Sequence, residues 1–147
     1  MIPDETTIAA LRREYARCFG CGADNAIGLH LDGFTVDNGT VTVPFVPRQE
    51  FSGFDGILHG GVIATALDEI AAWAAMLTEG VFVFTANLDI RFRRKAETSA
   101  TFLLTGRVIE RRGKRLSIEG AMATGGITVA EASGLFVVAA QVPHEAI

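Results

Sequence analysis

The chain has 147 residues, of which 49% are hydrophobic, and a formal net charge of -4. That length and apolar content fit one globular domain able to bury roughly two-thirds of its unfolded surface. The negative balance excludes nucleic acid as the main partner, because phosphate binding requires a strong positive field.

Met1-Ile2-Pro3-Asp4-Glu5 has neither the basic start nor the apolar core of a signal peptide. Every apolar run is broken by charge before the roughly 18 residues a membrane span needs. The expectation is a soluble, cytoplasmic protein with no membrane partner. Residues 4–16 read as a short amphipathic helix, with Ile8, Leu11 and Tyr15 on one face. Residues 18–28 read as a turn region and include Cys18-Phe19-Gly20-Cys21-Gly22. A zinc ribbon needs a second Cys-x-x-Cys, and the chain has only these two cysteines. The flanking glycines also argue against the strand-to-helix setting of a redox pair, so a reduced structural turn with no metal is expected.

Two alternating segments, 29–36 and 40–46, flank Asp37-Asn38-Gly39, and Asn-Gly between such runs signals a hairpin. Pro44 and Pro47 place the end of the second strand at an edge or an exit. After a loop at 47–58, an almost wholly apolar helix is predicted over 60–78, stopped by Glu79-Gly80. Four long strands follow at 81–94, 99–111, 114–124 and 127–140, with turns at Lys95-Ala96-Glu97-Thr98, Arg112-Gly113 and Gly125-Gly126. The fold class is α+β. One domain over 1–147 has a helical extension at 1–17 and a curled antiparallel sheet of about six strands around a central helix.

The chemistry concentrates in that helix. His59-Gly60-Gly61 stands at its start, where N–H groups lack intrahelical partners and the dipole favours negative charge. Such a start is a ready oxyanion hole, unless His59 is merely a cap. Nine residues on, Asp68 sets a carboxylate into the apolar run. At about 100° per residue, Asp68 falls on the opposite side of the helix from His59. If both are catalytic, a two-fold dimer would set Asp68 of one subunit against the Gly60–Gly61 start of the other. Asp68 would act as base or nucleophile, its pKa raised by apolar surroundings. Glu69 competes for that role, and periodicity does not separate the two.

Alternation over residues 84–92 puts Thr85, Asn87, Asp89 and Arg91 on one strand face. That face is either a water- or substrate-holding surface or plain solvent surface. Basic residues cluster at Arg91, Arg93, Arg94 and Lys95, and again at Arg107, Arg111, Arg112, Lys114 and Arg115. In an acidic chain such clusters suit an anionic ligand such as the phosphates of coenzyme A, or simply a charged hairpin tip.

From Cys18 onward the chain resembles the hotdog-fold acyl-CoA thioesterases, in particular the phenylacetic-acid-degradation type. The resemblance rests on Cys18-Phe19-Gly20-Cys21-Gly22 with Asn25 and Gly28-Leu29, on Gly53-Phe54 through His59-Gly60-Gly61 and Asp68-Glu69, and on Gly113, Arg115 and Glu119. It implies hydrolysis of a small or medium acyl-CoA without cofactor or metal, the CoA moiety entering only as part of the substrate. The Gly60 N–H would polarise the thioester carbonyl, Asp68 would be the acid, Thr85 would help position water, and His59 would orient the thioester. Gly61, Asn87, Arg93, Arg112 and Arg115 are the expected substrate contacts. The family also implies a homodimer with sites at the interface, and in some members a homotetramer. The chain departs from the usual pattern in three respects: Ser52 and Asp55 flank the Gly-Phe, Gly53 stands where some members carry Asn, and the strand ends Arg93-Arg94-Lys95 instead of Arg-Arg-Pro. The alternatives are a non-catalytic acyl-CoA or lipid-binding hotdog protein, and a hotdog dehydratase, whose catalytic histidine would sit differently.

Overall fold

The computed structural model describes residues 5–143. Among them lie two α-helices, α1 (Glu5–Glu14) and α2 (Gly60–Glu79), and six strands. The strands are β1 (Thr35–Asp37), β2 (Thr40–Phe45), β3 (Val81–Phe92), β4 (Phe102–Arg112), β5 (Arg115–Thr124) and β6 (Ile127–Gln141). They form one antiparallel sheet in the order β1-β2-β4-β5-β6-β3. The sheet wraps α2, as the hotdog resemblance implies.

Helix α2 forms where good helix formers meet clear end signals. His59 is its N-cap, and Gly80 closes it at φ 66°, a left-handed conformation suited to glycine. By length and hydropathy α2 passes for a membrane span, with mean hydropathy 1.3, but half of that window is buried inside the protein. Ala66, Leu67, Ile70, Trp73, Ala74 and Ala75 are wholly enclosed. Burying each large side chain of this set contributes about 1.5–3 kcal/mol. Trp73 stacks on Phe34, ring centroids 4.0 Å apart. On the sheet side, Gly106 lets β4 approach so closely that an added Cβ would lie 2.7 Å from the Ile70 carbonyl oxygen.

Most predicted elements form within a few residues of expectation. The β1–β2 hairpin turns at Asn38 and Gly39, with φ 47° and 75°, the pair of positive values a two-residue turn demands. The exception is the first strand, which shrinks from 29–36 to Thr35–Asp37. His30 and Gly33 take φ 54° and 90°, and these break the extended backbone. Leu29, Leu31 and Phe34 are buried, so the alternation there reflects packing without a ladder. Helix α1 buries Leu11, half-buries Ile8 and brings Tyr15 edge-on to Phe82 at 5.3 Å.

Candidate functional site

Loop 47–58 is built to present the start of α2. The His59 N–H donates to the Phe51 carbonyl at 2.9 Å, Leu58 N–H to Ala96 at 2.8 Å and Gly53 N–H to Ile57 at 2.8 Å. His59 Nδ1 in turn accepts the Gly61 N–H at 2.8 Å. His59 is therefore a cap, and in its neutral form it keeps its proton on Nε2. A Cβ at Gly61 would press on His59 Nδ1 at 3.0 Å, so a side chain there would require the capping imidazole to give way. With the Gly61 N–H occupied, the Gly60 N–H is the first of the helix and has no intrahelical acceptor. It opens on a cleft of about 340 Å³ lined by Ile57, Ile63, Phe92, Arg93, Arg94 and Lys95. Arg93 lines this cleft together with Arg94 and Lys95. Arg93 also reaches Glu131 at 3.5 Å.

The two acids of α2 part company. Both are half-buried. Asp68 turns toward β3, where the Thr85 hydroxyl donates to its Oδ1 at 2.5 Å, the length of a charge-assisted O–H···O bond. Glu69 turns under the Cys18–Gly22 turn and accepts from Trp73 Nε1 at 3.1 Å and from the Cys18 thiol at 3.5 Å. Burial pushes the Glu69 carboxyl up to about 7. Glu69 is thus the acid on which burial acts, while Asp68 faces an exposed stretch of strand.

That stretch corrects the expected strand face. A bulge between Thr85 and Asn87 sets Thr85 opposite Phe136 and Asn87 opposite Leu135. Cross-strand partners share a face, so Thr85 points toward α2 beside the buried Phe136, and Asn87 points away with Asp89 and Arg91. One extra residue in the strand inverts the alternation. Gly134 accommodates the bulge, since a Cβ there would lie 2.5 Å from the Asn87 carbonyl oxygen. Asp89 and Arg91 line a separate concavity of about 470 Å³ on the outer sheet face, with Arg107, Glu119 and Glu131. It contains neither Asp68 nor any residue of the α2 start.

Within the chain the remaining expected contacts are not gathered. Arg112 pairs with Glu110 at 2.8 Å. Arg115 is exposed and opposes Arg112 at the β4–β5 hairpin. The neighbouring Arg111 bonds Glu79, at the far end of α2, at 3.2 Å. Helix rise alone separates Gly60 from Asp68 by about 12 Å, so one chain does not join the oxyanion donor to the acid. Strand β3 is at the edge of the sheet, with Phe84 and Phe92 exposed at 74% and 56%. A long edge with unpaired backbone groups is a template for another chain.

Sequence reasoning missed the role of the N-terminal turn. Leu29 N–H and Leu31 N–H donate to the Phe19 and Gly20 carbonyls at 2.8 and 3.0 Å, and Gly22 N–H donates to Cys18 at 2.8 Å. Asn25 Nδ2 donates to the Arg17 carbonyl at 3.2 Å, and Arg12 clasps the Cys21 carbonyl at 3.0 Å and Asp32 at 2.9 Å. The Cys21 thiol and backbone donors hold the Cys18 thiol down to about 5, against its burial. The signal was the glycine at 20, where a Cβ would lie 2.3 Å from Glu69 Cδ.

A sheet curled round one helix, with an acid on the helix and a free amide at its start, defines a protein of the hotdog class. The sequence profile of the thioesterase superfamily matches residues 55–131, more than half of the chain, and the chain belongs to that superfamily. A thioesterase superfamily protein of known crystal structure is 28% identical, with a TM-score of 0.75 over 82% of this chain and 62% of that one. The Escherichia coli PaaI protein, from the phenylacetic acid degradation operon, shares the fold at TM-score 0.77 and 18% identity, over 92% of this chain and 95% of its own. A Streptococcus mutans UA159 protein bound to acetyl CoA has a TM-score of 0.69 at 21% identity, covering 76% of this chain and 93% of that one. An 88-residue stretch is 32% identical to an uncharacterized mitochondrial protein of Candida albicans (strain WO-1), covering 59% of this chain but 40% of that protein.

Proposed function

We propose that this chain hydrolyses the thioester of a small or medium acyl-CoA at a two-fold interface. The observation that carries the reading is the Thr85–Asp68 hydrogen bond on the edge strand, remote from the Gly60 amide of the same chain. A second protomer pairing along β3 would bring its own helix start to Asp68. The membership of the thioesterase superfamily and the acetyl CoA bound by a relative of the same fold support the substrate class.

In this reading the substrate carbonyl lies against the Gly60 N–H, whose partial positive charge grows in value as the carbonyl oxygen becomes anionic. Asp68 of the other protomer accepts a proton from water as the water oxygen bonds the carbonyl carbon. The C–S bond then breaks, the thiolate takes a proton, and the products are the carboxylic acid and coenzyme A. Thr85 fixes the Asp68 carboxylate by donating to one oxygen, leaving the other for water. Arg93, Arg94 and Lys95 beside the cleft supply positive charge for the phosphates.

The test is a panel of acyl-CoA esters with free thiol release as the readout, run on the wild type and Asp68→Asn. Turnover of at least one ester, lost by about 10²-fold or more in the variant, is expected for removal of a general base. Binding of acyl-CoA without turnover by the wild type would establish a carrier instead. Full activity in Asp68→Asn would remove the assigned base.

A further inference from the structure

Glu69 is half-buried beneath the Cys18–Gly22 turn, yet the reaction assigned to Asp68 gives it no task. No Lys, Arg or His forms an ion pair with it among the described residues. A buried carboxylate is normally paired with a cation or bound to a metal. Its neighbours are instead two thiols: the Sγ atoms of Cys18 and Cys21 and a Glu69 carboxylate oxygen lie within 4.8 Å of one another.

We propose that Cys18, Cys21 and Glu69 bind one Zn²⁺-class ion that pins the N-terminal turn to the middle of α2. The spacing of the Cys18 sulfur and the Glu69 carboxylate already matches such a centre. A tetrahedral centre with bonds of about 2.3 Å to sulfur and about 2.0 Å to oxygen spaces those two ligands by about 3.5 Å. The Cys18 Sγ to Glu69 Oε1 distance is 3.5 Å. The Cys-x-x-Cys turn supplies both sulfurs from one short loop. Gly20 is what permits the approach, for any side chain there would occupy the space of the Glu69 carboxylate. Trp73 Nε1 donates to the same oxygen, Glu69 Oε1, at 3.1 Å and fixes its position.

Two thiolates select a borderline-soft ion over Mg²⁺ or Ca²⁺. Binding releases to solvent whichever thiol protons the two cysteines still carry, forms two Zn–S bonds and one Zn–O bond, and leaves the fourth position to water. The ion would sit one residue along α2 from Asp68 but on another side of the helix. Its role is therefore to fix the arm and the helix rather than to touch the substrate.

The experiment uses the full chain, reduced and freed of metal by a chelator, with Zn²⁺ and Co²⁺ as probes. One equivalent of Zn²⁺ per chain is expected, with a rise in Tm, and Co²⁺ should give a near-ultraviolet thiolate charge-transfer band. Cys18→Ser and Glu69→Gln should each weaken Zn²⁺ binding by more than about 100-fold, beyond what loss of an outer-shell partner costs. No uptake by the reduced wild type would overturn the proposal. So would variants, folded by circular dichroism, that bind as the wild type does. Where a variant fails to fold, the wild-type stoichiometry and Co²⁺ spectrum decide alone.

Discussion

Gly60→Pro deletes one hydrogen atom from the proposed site and little else. Proline at the first helical position is well tolerated, because its missing N–H has no intrahelical partner there. It does constrain the residue before it to extended backbone, and His59 already sits at φ -64°, ψ 135°. Space is also available: a Cβ at 60 would meet its nearest neighbour outside the helix backbone, Phe92 Cε1, at an ordinary 3.6 Å. The fold should therefore survive, with Tm close to that of the wild type. Losing one oxyanion donor costs about 10²–10³-fold in kcat, and thioester hydrolysis should fall by that much with KM little changed.

The same variant tests whether the site spans two chains. Co-expressed at equal levels with Asp68→Asn, it should form mixed dimers in half of the assemblies. Each mixed dimer would hold one site with both defects and one with none, restoring about a quarter of wild-type activity. A site contained in one chain would show no recovery. Retention of wild-type kcat by Gly60→Pro, with Tm preserved, would refute the oxyanion assignment outright.

Three further outcomes follow from distances in the structure. Thr85→Val keeps the shape but removes the hydroxyl that donates to Asp68 at 2.5 Å; a hydrogen bond to a charged group is worth about 1.5–3 kcal/mol, so kcat should drop roughly 10- to 100-fold in thioester assays, with Thr85→Ser restoring most of it. Gly134→Ala presses a methyl to within 2.5 Å of the Asn87 carbonyl, and the shift of the bulge should lower both Tm and kcat by disturbing Thr85. Gly106→Ala drives a methyl to 2.7 Å from the Ile70 carbonyl, where neither backbone can yield cheaply. Overpacking of this kind costs about 1–3 kcal/mol, read as a lower urea midpoint at unchanged slope; a change near zero would mean that α2 packs less tightly on β4.

What the sequence made legible was periodic or local. The apolar run with His59 before it and Gly80 after it specified α2, and Asn38-Gly39 specified the first hairpin, because these signals act through backbone conformation alone. The nine-residue spacing of His59 and Asp68 already separated the two halves of the site, since helix geometry is fixed. The faces of β3 were not legible, for a different reason. Alternation assumes an unbroken ladder, and the bulge is encoded on the neighbouring strand, at Gly134 in β6, rather than in residues 84–92. The same holds for the acids of α2. Nothing in the helix pattern distinguishes Asp68 from Glu69; what separates them is a hydroxyl on β3 and a glycine at 20. The Cys-x-x-Cys was weighed by looking for a second pair along the chain, whereas the carboxylate that meets the Cys18 thiol, Glu69, comes from the helix that the turn covers. A motif judged by sequence spacing alone misses contacts that only the tertiary fold supplies. Residues 18–22 are accordingly better understood as the outer wall of α2 than as a loop between two elements.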